Sequence, residues 1–94
     1  MLNFFIIKTL ISIANIIEPL SDTVLTESVG STFILFGAIM VMIDYEKLSV
    51  VIDCHNEDEI HVYDFAVSNI VSDIQQLAAA CLFKIRRLIQ DYAN

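Results

Sequence analysis

The stretch that most constrains this chain is Thr32 to Ile43, TFILFGAIMVMI. It carries no charge, and its apolar residues do not alternate with polar ones. A continuous apolar run rich in β-branched and aromatic residues reads as a strand buried on both faces, since strict alternation would leave one face for water. Gly37 interrupts it and reads as a weak point or a bulge. The rest of the chain must supply cover for this run.

Ninety-four residues make one domain, 1–94. A chain of that length buries roughly 60–65% of its unfolded surface on folding. Yet 56% of the residues are hydrophobic and only two are glycine. That is more apolar surface than one small core absorbs, so part of it is expected in an interface, and the expectation is a homodimer. Cys54 and Cys81 do not form a disulfide framework, and no basic n-region or small-residue cleavage site marks an export signal. The expected location is therefore the reducing cytoplasm. Val29 to Ile43 is uncharged but shorter than the roughly 20 residues that span a bilayer, and Met1 to Ile17 is interrupted by Asn3, Lys8, Thr9, Ser12 and Asn15. Membrane association is disfavoured, and Met1 to Ile17 lying on the bilayer is kept as a third alternative to the two functional readings below, against which stands its single base, Lys8.

The N-terminal segment is an amphipathic helix with a wide apolar side. Phe4, Ile7, Ile11 and Ala14 form one stripe, and Ile6, Leu10, Ile13 and Ile17 form the next. Pro19 ends it, because the residue before a proline is pushed out of helical geometry. Ser21 to Ser28 is polar, and Ser21 or Asp22 can cap a short helix that Gly30 stops. Three strands follow: the apolar run, Leu48 to Asp53 and Ile60 to Phe65. Asp44 to Lys47 and Cys54 to Glu59 connect them. Ala66 to Ala93 keeps helical spacing throughout. The fold class is α+β: an N-terminal helix, a three-stranded antiparallel β-meander and a long C-terminal helix, αβββα.

Placing Ile43 opposite Leu48 sorts the side chains between two faces. One face collects Ile39, Val41, Ile43, Leu48, Val50, Ile52, Ile60 and Val62. The other collects Phe36, Ala38, Met40, Met42, Ser49, Val51, Asp53, His61 and Tyr63. In this arrangement the apolar run lies at the edge of the meander, where a long apolar strand needs a partner. Its Ile34 and Phe36, with Phe4, Ile7 and Ile11 of the first helix, are the candidate oligomer interface.

The net charge of −7 is local. Residues 44–65 hold one base and seven acids, whereas 66–94 hold three bases and two acids. Such acidity repels nucleic acid and steers a basic protein partner. The cluster from Asp53 to Glu59 lacks any recurring ligand spacing, so no metal is assigned. Cys54 and His55 are strand-end neighbours that point to opposite faces, so they form no catalytic pair. No phosphate loop or nucleophile elbow is present, and neither an enzyme nor a cofactor is expected. The candidate partner-binding residues are Asp44, Tyr45, Glu46, Asp53, Glu57, Asp58, Glu59, His61 and Tyr63: acids for steering, interleaved with aromatic contact area. Acids in hairpin loops can equally be simple solubility devices. The functional expectation is a small acidic protein that binds and inhibits a basic partner of the toxin or nuclease class, as an immunity protein does. The alternative is an assembly module that only self-associates.

Overall fold

The structure is a computed structural model, and it describes residues 2–26 and 30–92. Met1, Ser28 and Ala93, which bound segments read above, lie outside the described residues.

The first helix, α1 (Leu2–Ile17), buries Ile6, Leu10, Ile13, Ala14 and Ile17, which recur every three to four residues along one side. It stops ahead of Pro19, and Glu18–Leu20 continue as one 3₁₀ turn with the proline in its first positions. By length and composition, Leu2–Leu20 is long and apolar enough to cross a bilayer. In this fold its buried stripe instead belongs to the same core as the sheet.

The fold is α+β, as expected, but the meander has five strands rather than three: β1 (Thr23–Thr26), β2 (Ser31–Phe36), β3 (Ile39–Asp44), β4 (Ser49–Cys54) and β5 (Ile60–Asp64), paired antiparallel in chain order. The apolar run is two strands. Gly37 and Ala38 turn the chain between them, with Gly37 at φ +57° in the left-handed region. Glycine at the first position of a two-residue turn is the type II′ arrangement, whose twist suits a hairpin. The amide of Gly37 donates to Asp22 Oδ2 at 2.6 Å. The expected helix within 21–28 is also replaced by a strand: Asp22 N–H donates to Leu35 O at 2.8 Å, and Thr23 to Thr26 extend that pairing along β2. The apolar run is therefore not at an edge. Its second half, β3, is the central strand of the sheet.

Both helices cover the same face of the sheet. Ile34 and Phe36, Ile39, Val41 and Ile43, and Val50, Ile52 and Cys54 alternate along three strands and meet Ile74, Cys81, Ile85 and Leu88 of α2 (Val71–Tyr92) in one buried core. The β3–β4 register is Ile43 opposite Val50, two residues from the expected pairing. A slip of two keeps every side chain on its face. Leu48, at φ +57°, closes that loop and buries its side chain.

The β4–β5 register changes the faces. Asp53 pairs with Ile60 and Ile52 with His61, so His61 and Tyr63 point to the helices while Ile60 and Val62 point away. This reverses the assignment from the sequence. The physical reason lies two residues on: Phe65, fully buried, has the parity of His61 and Tyr63, and its amide donates to Leu48 O at 2.9 Å. Burying that ring outweighs burying Ile60 and Val62. The C-terminal helix starts five residues later than the expected Ala66. Asp64 Oδ1 accepts from Ala66 N–H at 3.0 Å, a local turn that competes with helix initiation.

Candidate functional site

Nothing in the described chain covers the second face of the sheet. Its side chains follow from the register in three cross-strand rows. Leu25, Phe33, Met42, Val51 and Val62 form the middle row; Thr23, Leu35, Met40, Asp53 and Ile60 lie on one side of it, and Ser31, Asp44, Ser49 and Asp64 on the other. Leu25, Ile60 and Val62 are 52%, 59% and 61% exposed. Phe33, Leu35, Met40, Met42 and Val51 are half-buried, shielded only by their neighbours. The face therefore presents a continuous apolar centre with carboxylates set among it and at one margin.

The acids of this face are held differently. Asp44 Oδ1 accepts from the amides of Glu46 and Lys47, both at 2.9 Å, which pins that carboxylate at the mouth of the β3–β4 loop. Asp64 is engaged by its own turn. Asp53 lies between Met40 and Ile60 in its row. Among the described residues its carboxylate enters no side-chain hydrogen bond or ion pair.

The nine residues read from the sequence as partner-binding divide among several places. Asp44 and Asp53 lie on the open face. Tyr45 packs partly against the core, and its amide donates to Gly30 O. Glu46 is exposed on the same loop, with its side chain across Gly30. Asp58 and Glu59 are exposed at the opposite end of the sheet. Glu57, His61 and Tyr63 turn toward α2. The His61 Nε2 to Glu57 Oε1 distance is 3.0 Å, and that hydrogen bond, with Lys84 nearby, holds the Glu57 carboxyl below its usual range. Burial raises the Tyr63 hydroxyl. His61 and Tyr63 therefore do not share a face with Asp53, as the sequence reading had it. Glu57 and Tyr63 instead line a cleft of about 500 Å³ with Phe83, Lys84, Arg87 and Asp91.

Of the residues assigned to an oligomer interface, Ile34 and Phe36 are fully enclosed by this chain's own core. Phe4 and Ile11 are exposed on α1, and Ile7 is half-buried. The Lys8 ammonium lies 5.5 Å from the centre of the Phe4 ring. Leu25, Phe33, Leu35, Ile60, Val62 and Asp64 also belong to the open face and were missed, whereas Met40, Met42 and Val51 were placed on it without being assigned to an interface. Gly37 was the one sequence signal toward them, since the inward burial of Phe65 is set by tertiary packing.

Among the described residues no group of three or more His, Cys, Asp or Glu side chains is placed to hold a metal ion. Both cysteines are buried free thiols, and burial pushes Cys81 up to about 12. No protein-family model matches the chain, and neither the curated proteins nor the solved structures include a significant match.

Proposed function

We propose that the protein is a small acidic binding protein of the inhibitor or immunity type, which neutralises a basic partner such as a toxin or nuclease by covering its surface. The observation that supports this reading is the separation of charge across the fold. Lys8, Lys84, Arg86 and Arg87 all lie on helices α1 and α2, whose only acids are Asp73 and Asp91, so these helices are net positive by two. Asp44, Asp53 and Asp64 lie on strands, and Glu46, Asp58 and Glu59 on the sheet's loops, where Lys47 is the one base between residues 30 and 65. A basic surface approaching this molecule is drawn to the sheet side and turned from the helix side. Such steering raises association rate and selects partners more than it adds affinity.

The test is affinity capture from the cell of origin at low and high salt, followed by titration of the captured protein's activity. One basic protein, held at low salt, shed at high salt and silenced at equal molar ratio, is the expected result. Recovery of no basic protein, or of one whose retention ignores salt and whose activity is unchanged, refutes the reading.

A second reading, self-assembly without inhibition, is favoured by Phe4 and Ile11, exposed on one stripe of α1. Sedimentation across a concentration series tests it. A monomer throughout removes it, and a dimer dissociated by Ile11→Glu supports it.

A further inference from the structure

Strands about 4.8 Å apart place Leu25 and Val62, the ends of the middle row on the open face, about 19 Å from each other, and neighbouring rows on a face lie about 6.7 Å apart. The face thus carries an apolar stripe across all five strands, with Asp53 on one flank and Asp44 and Asp64 on the other. No Lys or Arg belongs to any of the three rows. Three rows across five strands give a footprint of roughly 500 Å². With side-chain relief that approaches the ~800 Å² per partner of a specific interface.

We propose that this face is the docking surface, and that its occupant is a basic amphipathic segment of the partner. Apolar side chains lie along the stripe, and Lys or Arg on both flanks reach Asp53 on one side and Asp44 and Asp64 on the other. The inference rests on the basic-partner reading and names the surface it uses. An α-helix of about 13 residues spans the 19 Å stripe, and Met40 and Met42 near its middle give adaptable apolar area. Charge decides against a second copy as occupant. Face-to-face self-pairing would bring three further carboxylates and no cation, leaving Asp53 desolvated without a counter-charge, which disfavours that complex. The exposed acids Asp58 and Glu59 stand beyond the stripe and act on approach.

The test uses the full chain and three synthetic 14-residue peptides. One has leucines on one helical face flanked by lysines. The second replaces leucine by serine at equal charge, and the third replaces lysine by glutamate at equal apolarity. Calorimetric titration is expected to show 1:1 binding of the leucine–lysine peptide alone. Val62→Asp, at an edge position already exposed, weakens it at least tenfold, which is about 1.4 kcal/mol. Asp53→Asn weakens it severalfold and flattens its salt dependence. Asp58→Lys with Glu59→Lys slows association and leaves the face contact in place. Circular dichroism melts confirm that each variant folds.

Loss of binding on loop reversal with no effect of Val62→Asp or Asp53→Asn overturns the docking surface and leaves the basic-partner reading standing. Equal binding of the leucine–glutamate peptide overturns both. Failure of all three peptides to bind overturns the docking proposal. A dimer in sedimentation that Val62→Asp dissociates assigns the face to a second copy and overturns it as well.

Discussion

Truncation of two adjacent residues on β4 tests whether the sheet is covered on one side only. Ile52 is fully buried at the centre of the sheet, between Val41 and His61. Ile52→Ala deletes three carbons, worth about 0.8 kcal/mol each in transfer, or ~2.4 kcal/mol. The cavity left under two helices adds to that, so a total of about 3–4 kcal/mol is expected. Val51, its neighbour, points to the open face and is half-buried. Val51→Ala deletes two carbons that water already reaches, and its cost is below about 1 kcal/mol. The loss of strand propensity is similar for both and largely cancels in the comparison. Urea titration by circular dichroism reads the difference directly, with the midpoint shifting and the slope unchanged. In thermal melts Ile52→Ala falls by roughly 12–30 °C, since each kcal/mol is worth about 4–8 °C in a domain of this size. Equal costs at the two positions refute the one-sided architecture. A Val51→Ala cost that grows with protein concentration shows a second copy on the open face.

Three further outcomes follow from named contacts. Gly37→Ala places a side chain at φ +57° and costs about 1–2 kcal/mol, and Asp22→Ala, which removes the acceptor of the Gly37 amide, costs about 1–2 kcal/mol; amide exchange at Gly37 should quicken in both. Burial lifts the Cys81 thiol from about 9 to about 12, so the unfolded chain loses its proton first as pH rises. Stability should therefore fall by up to about 1.4 kcal/mol per pH unit above pH 9, and denaturant titrations of Cys81→Ala should lose that part of the slope. The Glu57 carboxyl is held low by His61, so any stability it contributes is present above its unfolded pKa and is lost as pH falls through its folded one. NMR titration should place its midpoint below 4.5, and His61→Gln should return it toward that value.

The helices and strands from Ile39 onward were legible because their periodicity is strong. Ile6, Leu10, Ile13 and Ile17 repeat at helical spacing, and so do Ile74, Cys81, Ile85 and Leu88. What could not be read was the turn inside the apolar run. A type II′ turn needs only two residues, and here they are Gly37 and Ala38, with no polar residue to announce a loop. Missing it hid one strand directly. It also hid β1, because TVLT is a strand only by virtue of β2 lying beside it. The candidate site suffered from the same limit at β5. IHVYDF alternates, so its period was clear, but alternation does not say which set faces in. Phe65 decides that through its burial, a tertiary choice that no local pattern contains.

The bare face also bears on how tightly the proposed partner would be held. The apolar stripe is one row of three, roughly a third of the ~500 Å² footprint; with an equal area of the partner, its burial gains about 8 kcal/mol at about 25 cal/mol per Å². Association itself costs an estimated 4–15 kcal/mol before any side chain is ordered. The apolar stripe alone thus comes close to breaking even, and an uncharged apolar segment should bind weakly. The flanking carboxylates then decide which partner stays. A cation that meets Asp53 offsets the desolvation of that carboxylate, whereas a neutral group leaves it buried and unpaired at a cost of several kcal/mol. Asp53→Leu separates these effects. It should narrow the gap between basic and neutral apolar segments by strengthening binding of the neutral one, and it should weaken the basic one. If Asp53→Leu strengthens the basic segment, the carboxylate is not a recognition element and the stripe acts by apolar contact alone.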